Sequence, residues 1–375
     1  GRGGHLGGGG NMGPEGTQRQ ELPAEEGLQL SDPLTTADFK SPPLPSRTDK
    51  LGAGLLILAM EDGRPYVLLL FRNSKNNGDT WGLPGGDLDK GETLAEAALR
   101  KAKKDMGALP PARVLGHITT RRGKKRDKYY TVFVAYTSFF VMETYRPQLD
   151  LEERSASKWV ALSDIVARKV ELHPVVDAII SSTGNLNKLQ LLLSAATSPE
   201  APAALSQLQP LTADFPSPEI PQAVEKIGAG MLFMTSQGGE LHALLLYRNS
   251  KHNGETWGLP GGNLDKGETL AEVAVREATE EMGDAPPARV LGHIITRRGK
   301  HKQKFYAVFV ACVSSSAKEA YEPDLDLDEH SAWQWVPVQE MLAHQLPLHP
   351  VVDMVMHDSS NFAQLQKLMA SSTCS

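Results

Sequence analysis

Three glutamates pose the chemical question. Glu277, Glu280 and Glu281 stand at i, i+3 and i+4 of a segment in which Ala271, Val275, Ala278 and Met282 recur at helical spacing. With about 3.6 residues per turn, this spacing predicts a helix over residues 269–282. Three carboxylates crowd one of its faces and a packing stripe lines the other. Like charges at i and i+4 destabilise a helix by a few tenths of a kcal/mol, so the cluster calls for solvent or a cation to balance it. Carboxylate oxygens suit hard Mg²⁺ or Mn²⁺, and the chain lacks a Cys/His cluster of the kind zinc prefers. Taken alone, a Glu-x-x-Glu-Glu run is more often a solvated acidic face.

The surrounding residues change that balance. Gly262, Glu268, Arg276, Glu277, Glu280, Glu281 and Gly283 occupy every fixed position of a pattern that resembles the Nudix box, Gly-x5-Glu-x7-Arg-Glu-apolar-x-Glu-Glu-x-Gly-apolar. Trp257-Gly-Leu-Pro-Gly-Gly before it and the Glu329 to Trp335 segment after it also look like the family. The departure is Asp284, where an aliphatic residue is usual, and it is expected to affect packing after the helix more than chemistry. The resemblance implies an α/β/α sandwich with a mixed sheet, and hydrolysis of a nucleoside diphosphate linked to another group. By matched position, Glu277, Glu280 and Glu281 would hold Mg²⁺ or Mn²⁺, Arg276 and Glu268 would orient them, and the Gly261 carbonyl would complete the coordination. The general base stays open between Glu281 and Glu329. The leading substrate is a nucleoside triphosphate, ordinary or oxidised, cleaved to monophosphate and pyrophosphate, although the box does not choose. The rival reading is a nucleotide- or RNA-binding regulatory protein without significant turnover.

The chain is organised by a duplication. Leu83-Pro84-Gly85-Gly86 recurs as Leu259-Pro260-Gly261-Gly262 at an offset of 176 residues, and Ala37-Asp38-Phe39 and Leu172-His173-Pro174 recur at the same offset. So long a period implies two complete domains, not a solenoid. The expected division is a disordered Gly-rich segment 1–36, a first copy 37–194, a linker 195–212, a second copy 213–370 and a tail 371–375. In the first copy the box positions read Gly86, Glu92, Arg100, Lys101, Lys104, Asp105 and Gly107, so the three ligand positions change from −3 to +1. The packing stripe Ala95, Leu99, Ala102 and Met106 survives. A fold kept without its metal site is predicted, serving as a nucleotide-binding or regulatory domain, as one half of an intramolecular pseudo-dimer, or as structural support.

The remaining features narrow the class less. A net charge of −6 from 45 acidic and 39 basic residues predicts no general affinity for nucleic acid or membranes. Two cysteines, Cys312 and Cys374, do not suggest a disulfide framework, so a reducing, cytoplasmic setting is expected. No apolar run approaches the roughly 20 residues of a membrane span. The chain opens on Gly1 instead of Met, which leaves room for a removed leading segment. Strands are predicted at residues 231–234, 241–247, 294–297, 304–313 and 332–336, with a last helix over 352–368. Arg248, Trp257, Arg297, Phe305 and Tyr306 are candidate substrate contacts; the basic hairpin from Arg297 would attract a polyphosphate or an RNA end, and the aromatics could stack on a base. A solvated hairpin and core aromatics are the competing explanations. His173 and His349, repeated in both copies, are expected to cap or pack.

Overall fold

A computed structural model describes residues 34–42, 44, 50–73, 78–122, 128–198, 211–222, 224–249 and 254–371. Most of the expected Gly-rich leader and linker, the end of the tail, and the tip of the first copy's basic hairpin lie outside these residues. The first copy forms β1 (Lys50–Glu61), β2 (Arg64–Arg72), β3 (Trp81–Gly82), β4 (Gly85–Asp87), β5 (Arg113–Arg122), β6 (Lys128–Tyr136) and β7 (Arg154–Ala161). These give the order β3-β2-β1-β6-β5, with β4 also on β1 and β7 on β2. The pair β1/β6 is parallel and the other pairs are antiparallel.

The second copy repeats this mixed sheet with β8 (Lys226–Gln237), β9 (Glu240–Arg248), β10 (Trp257–Gly258), β11 (Gly261–Asn263), β12 (Arg289–Arg298), β13 (Lys304–Cys312) and β14 (His330–Pro337). The strands predicted at 231–234, 241–247, 294–297 and 332–336 fall within β8, β9, β12 and β14, and the one predicted at 304–313 overruns β13 by one residue. Central strands are apolar at successive positions because helices cover both sheet faces. In the first copy, Leu55 and Ile57 pack with the helix Leu94–Met106, while Leu56 and Leu58 pack with the helices Pro174–Ser181 and Thr183–Thr197. In the second copy, the helix Leu270–Met282 lies on one face and Pro350–His357 and Ser359–Ala370 on the other. Each copy is thus an α/β/α sandwich. Phe39 and its repeat Phe215 plug the two cores edge-on against Phe133 and Phe309, at 4.9 and 4.8 Å.

Two expectations are corrected. The last helix is broken at Asp358, whose extended backbone (φ −80, ψ 122) and carboxylate cap a new helix by accepting the N–H groups of Ser360 and Asn361. Cys312, nearly buried at the end of β13, is disulfide-bonded; its partner lies outside the described residues. His173 and His349 are helix N-caps, their Nδ1 atoms accepting the N–H groups of Val175 and Val351 at 3.3 and 3.4 Å. No helix among the described residues is long and apolar enough to cross a membrane.

The copies meet through the residue that departs from the box. Asp284 accepts hydrogen bonds from His117 Nε2 at 3.0 Å, the Thr119 N–H at 2.8 Å and Lys188 Nζ at 2.8 Å, all from the first copy. Arg121 donates to the carbonyls of Thr279 (2.9 Å) and Glu280, at the C-terminal end of the second box helix. The contact runs head to tail: the repeat equivalents of Asp284 and Lys188 are Ala108 and Gln364, so the reciprocal ion pair cannot form.

Burial pushes the Asp284 carboxyl up, but Lys188 and His117 outweigh it and hold it well below the usual carboxylate range. Burial pushes His117 down, so it folds neutral. A histidine with a depressed folded pKa binds more protons when unfolded, so its contribution is complete above about 6.5 and declines as pH falls below that value. Asp284 loses its own contribution only at much lower pH. The junction is therefore expected to weaken as pH falls below about 6.5, read as a falling urea midpoint whose pH dependence His117→Gln makes shallower.

Candidate active site

The second box helix begins at Thr269, which caps Glu272 N–H while the Glu272 carboxylate returns to Thr269 N–H, a reciprocal capping box. It ends at Gly283, whose φ of 73° suits glycine. Ala271, Val275, Ala278 and Met282 are buried as their spacing requires, but so are Thr279 and Arg276. Burial extends this far round because the first copy covers the helix's C-terminal end.

Arg276 ties the acidic face together. Its Nε and Nη2 form a fork on Glu268 at 2.6 and 3.1 Å, and Nη1 reaches Glu277 at 2.8 Å and Glu280 at 3.1 Å. A further bond to the Asn263 carbonyl at 3.2 Å anchors the guanidinium to β11. Gly262 is required for close approach, since a Cβ there would collide with Glu277 Oε1. Burial, then the neighbouring Glu281, pushes the Glu277 carboxyl up to about 7.

Glu281, only 2% exposed, accepts the Gly261 N–H at 3.2 Å and lies 3.0 Å from Nε2 of the fully buried His330. Glu329 adjoins them: ligand atoms of Glu281, Glu329 and His330 lie within 4.8 Å of one another. Burial and Glu281 hold the Glu329 carboxyl above its usual range. The donor set fits a hard divalent cation, with carboxylates from one helix face converging on a glycine loop that admits them. Arg248 on β9, Arg298 on β12 and Tyr306 on β13 flank it, and Glu281 and Glu277 help burial to raise the Tyr306 phenol.

The other sequence candidates separate by strand parity. Arg298 lies over the Tyr306 ring at 5.7 Å, whereas Arg297 lies over Phe305 at 4.9 Å on the opposite face. Phe305 is 3% exposed and packs into the core beside the box helix, so the structure corrects its assignment, with Arg297, to the substrate side. Trp257 is half-buried and braced edge-on by Tyr247 at 5.1 Å. Sequence reasoning missed Arg298 and His330. A signal for His330 was present: Glu281 and His330 correspond to Asp105 and Arg154, an acid and a base in both copies.

In the first copy the frame persists without the ligands. Arg100 forks onto Glu92 at 2.6 Å through both Nε and Nη2. Asp105 is bound by Arg154 at 2.7 Å, and Lys104 pairs with Glu153 at 2.6 Å.

A family model for the NUDIX domain matches residues 49–178 and 225–355. A Mycobacterium tuberculosis protein named "Putative 8-oxo-dGTP diphosphatase 3" is 30% identical over 125 residues, 32% of this chain and 56% of that one. An RNA pyrophosphohydrolase of Rhizobium meliloti is 29% identical over 119 residues, 26% of this chain and 70% of that one. Among solved structures, the Nudix hydrolase RenU of M. smegmatis shares 27% identity over 38% of this chain and 86% of its own, with a TM-score of 0.28. The chain spans about half the length of the first of these curated relatives. Two matched regions, each a complete sandwich around its own box helix, place this chain in the NUDIX family as a tandem of two such domains.

Proposed function

We propose that the second copy is a Mg²⁺- or Mn²⁺-dependent pyrophosphohydrolase that cleaves the diphosphate linkage of a nucleotide, with a nucleoside triphosphate, ordinary or oxidised, as the leading substrate, and that the first copy does not hydrolyse. The observations that carry this reading are Glu277 set against Gly262, Arg276 joining Glu277 and Glu280, and Glu281 on the Gly261 N–H with Glu329 adjoining it. Glu277, Glu280, Glu281 and the Gly261 carbonyl would hold the ion, which when bound neutralises diphosphate charge and polarises water. Arg276, fixed by Glu268, holds two of these carboxylates in place. The Gly261 N–H fixes the third, which also stands 3.0 Å from His330 Nε2. Glu329, raised by burial, is the better placed of the two candidate bases to take a proton from the attacking water, since Glu281 is committed to those partners. Arg248, Arg298 and Tyr306 face the diphosphate.

The test is product chromatography after incubating the full chain, and its Glu280→Gln/Glu281→Gln variant, with Mg²⁺ and a panel of nucleoside triphosphates, oxidised triphosphates, dinucleotides, nucleotide sugars and capped RNA. Turnover that disappears in the variant and with chelator supports the reading. Equal nucleotide binding by both proteins without turnover would favour a binding protein. Gly262→Ala, which sets a methyl against Glu277, is expected to weaken Mn²⁺ binding by about tenfold or more, followed by the ion's paramagnetic resonance. An unchanged affinity would remove Glu277 from the ligand set.

A further inference from the structure

We infer that the first copy carries a metal-independent binding site for a diphosphate group, formed by Arg72, Lys101, Arg122 and Arg154 around the Leu83 to Gly86 loop. Lys101 occupies the position of Glu277 and lies over Gly86 as Glu277 lies over Gly262; a Cβ on Gly86 would stand 3.1 Å from its Nζ. Lys101 makes no hydrogen bond or ion pair with a described residue.

Arg154 replaces His330 and is 1% exposed. Its Nε and Nη2 bind Asp105 at 3.2 and 2.7 Å, and Nη2 also reaches the Leu83 carbonyl at 3.2 Å. Nη1 is buried without a hydrogen-bond partner among the described residues, as is Nε of Arg122. Buried donors of a charged group are rarely left unpaired, and both belong to guanidiniums, which bind phosphate oxygens in forked geometry.

The cations converge. Arg122 lies over the Tyr130 ring at 5.1 Å. A Cβ on Gly82 would stand 2.9 Å from His173 Cβ and 3.8 Å from Arg72 Cδ, and burial, then Arg72, Arg122 and Arg154, push the His173 imidazole down to about 3. Arg72 and Arg122 have counterparts in Arg248 and Arg298, where the glutamates oppose them. In the first copy Asp105 is matched by Arg154 and Glu153 by Lys104, which leaves Asp87 as the acid acting on Arg122. Fixed cations thus stand where the second copy gathers carboxylates, which suits a multiply charged anion held without a metal ion. This inference stands whether or not the second copy hydrolyses nucleotides.

The test is calorimetric titration of the full chain with inorganic pyrophosphate in EDTA. Without divalent ions, Glu277, Glu280, Glu281 and Glu329 repel the anion, so the second copy is silent. One saturable site per chain is expected, weakening as salt rises. Lys101→Glu and Arg122→Gln should each lower its affinity about tenfold or more while thermal unfolding stays unchanged. A nucleoside diphosphate should bind comparably to pyrophosphate and orthophosphate at least about tenfold more weakly. Absence of saturable binding in EDTA, or equal affinity in both variants, would overturn the site. Binding that needs Mg²⁺ and disappears in Glu281→Gln would assign it to the second copy instead. Equal affinity for orthophosphate would overturn the diphosphate class.

Discussion

Glu281→Gln is expected to lower turnover by about a thousandfold while the chain still folds. The amide keeps the volume of a side chain that is 2% exposed, but it removes the charge and offers a donor where the Gly261 N–H and His330 already face it. A divalent ion supplies several kcal/mol of transition-state charge stabilisation, and loss of about 4 kcal/mol is roughly a thousandfold in rate. The measurement is kcat/KM on the preferred substrate at saturating Mg²⁺, with the unfolding midpoint as a control. Activity within about tenfold of the parent would show that the buried carboxylate is structural and that the ion sits elsewhere.

The second large effect concerns stability. Asp284→Ala is expected to destabilise the chain by about 3–5 kcal/mol, the range found when one partner of a buried ion pair is deleted. Asp284 holds His117, Lys188 and the Thr119 N–H, and its removal strands a lysine that is 17% exposed. Lys188→Met should recover part of the loss, because the stranded charge goes with it. Urea unfolding of both variants measures this, and the first copy is expected to separate as its own transition once the junction is weakened. If Asp284→Ala unfolds within about 0.5 kcal/mol of the parent, the junction contributes little and the copies are independent. Turnover should fall too, since Arg121 caps the box helix across the same junction.

Sequence and structure contributed different parts of this account. The box helix, its packing stripe, the Arg276–Glu268 spacing and the charge reversal at Lys101 and Lys104 were legible because helical periodicity and duplication are local properties of the chain. Strand existence was legible for the same reason, since apolar and β-favouring residues mark it. Which face a strand residue takes was not. Arg297 and Arg298 are neighbours of one type, and only the register of β12 against β13 decides that Arg298 meets Tyr306.

The same holds for contacts distant along the chain. His330 meets Glu281 because β14 pairs with β9 and brings its first residue under the helix. Asp284 resembled a blemish in the box until the first copy was packed against it. The sequence by itself determined two Nudix sandwiches, one with a full carboxylate set and one with lysines in its place. Only the tertiary structure decided that the copies join head to tail through Asp284 and that in the first copy a buried Arg154 takes the place of His330 beside Asp105, because burial and pairing at these positions depend on residues from about 50 to more than 160 positions away.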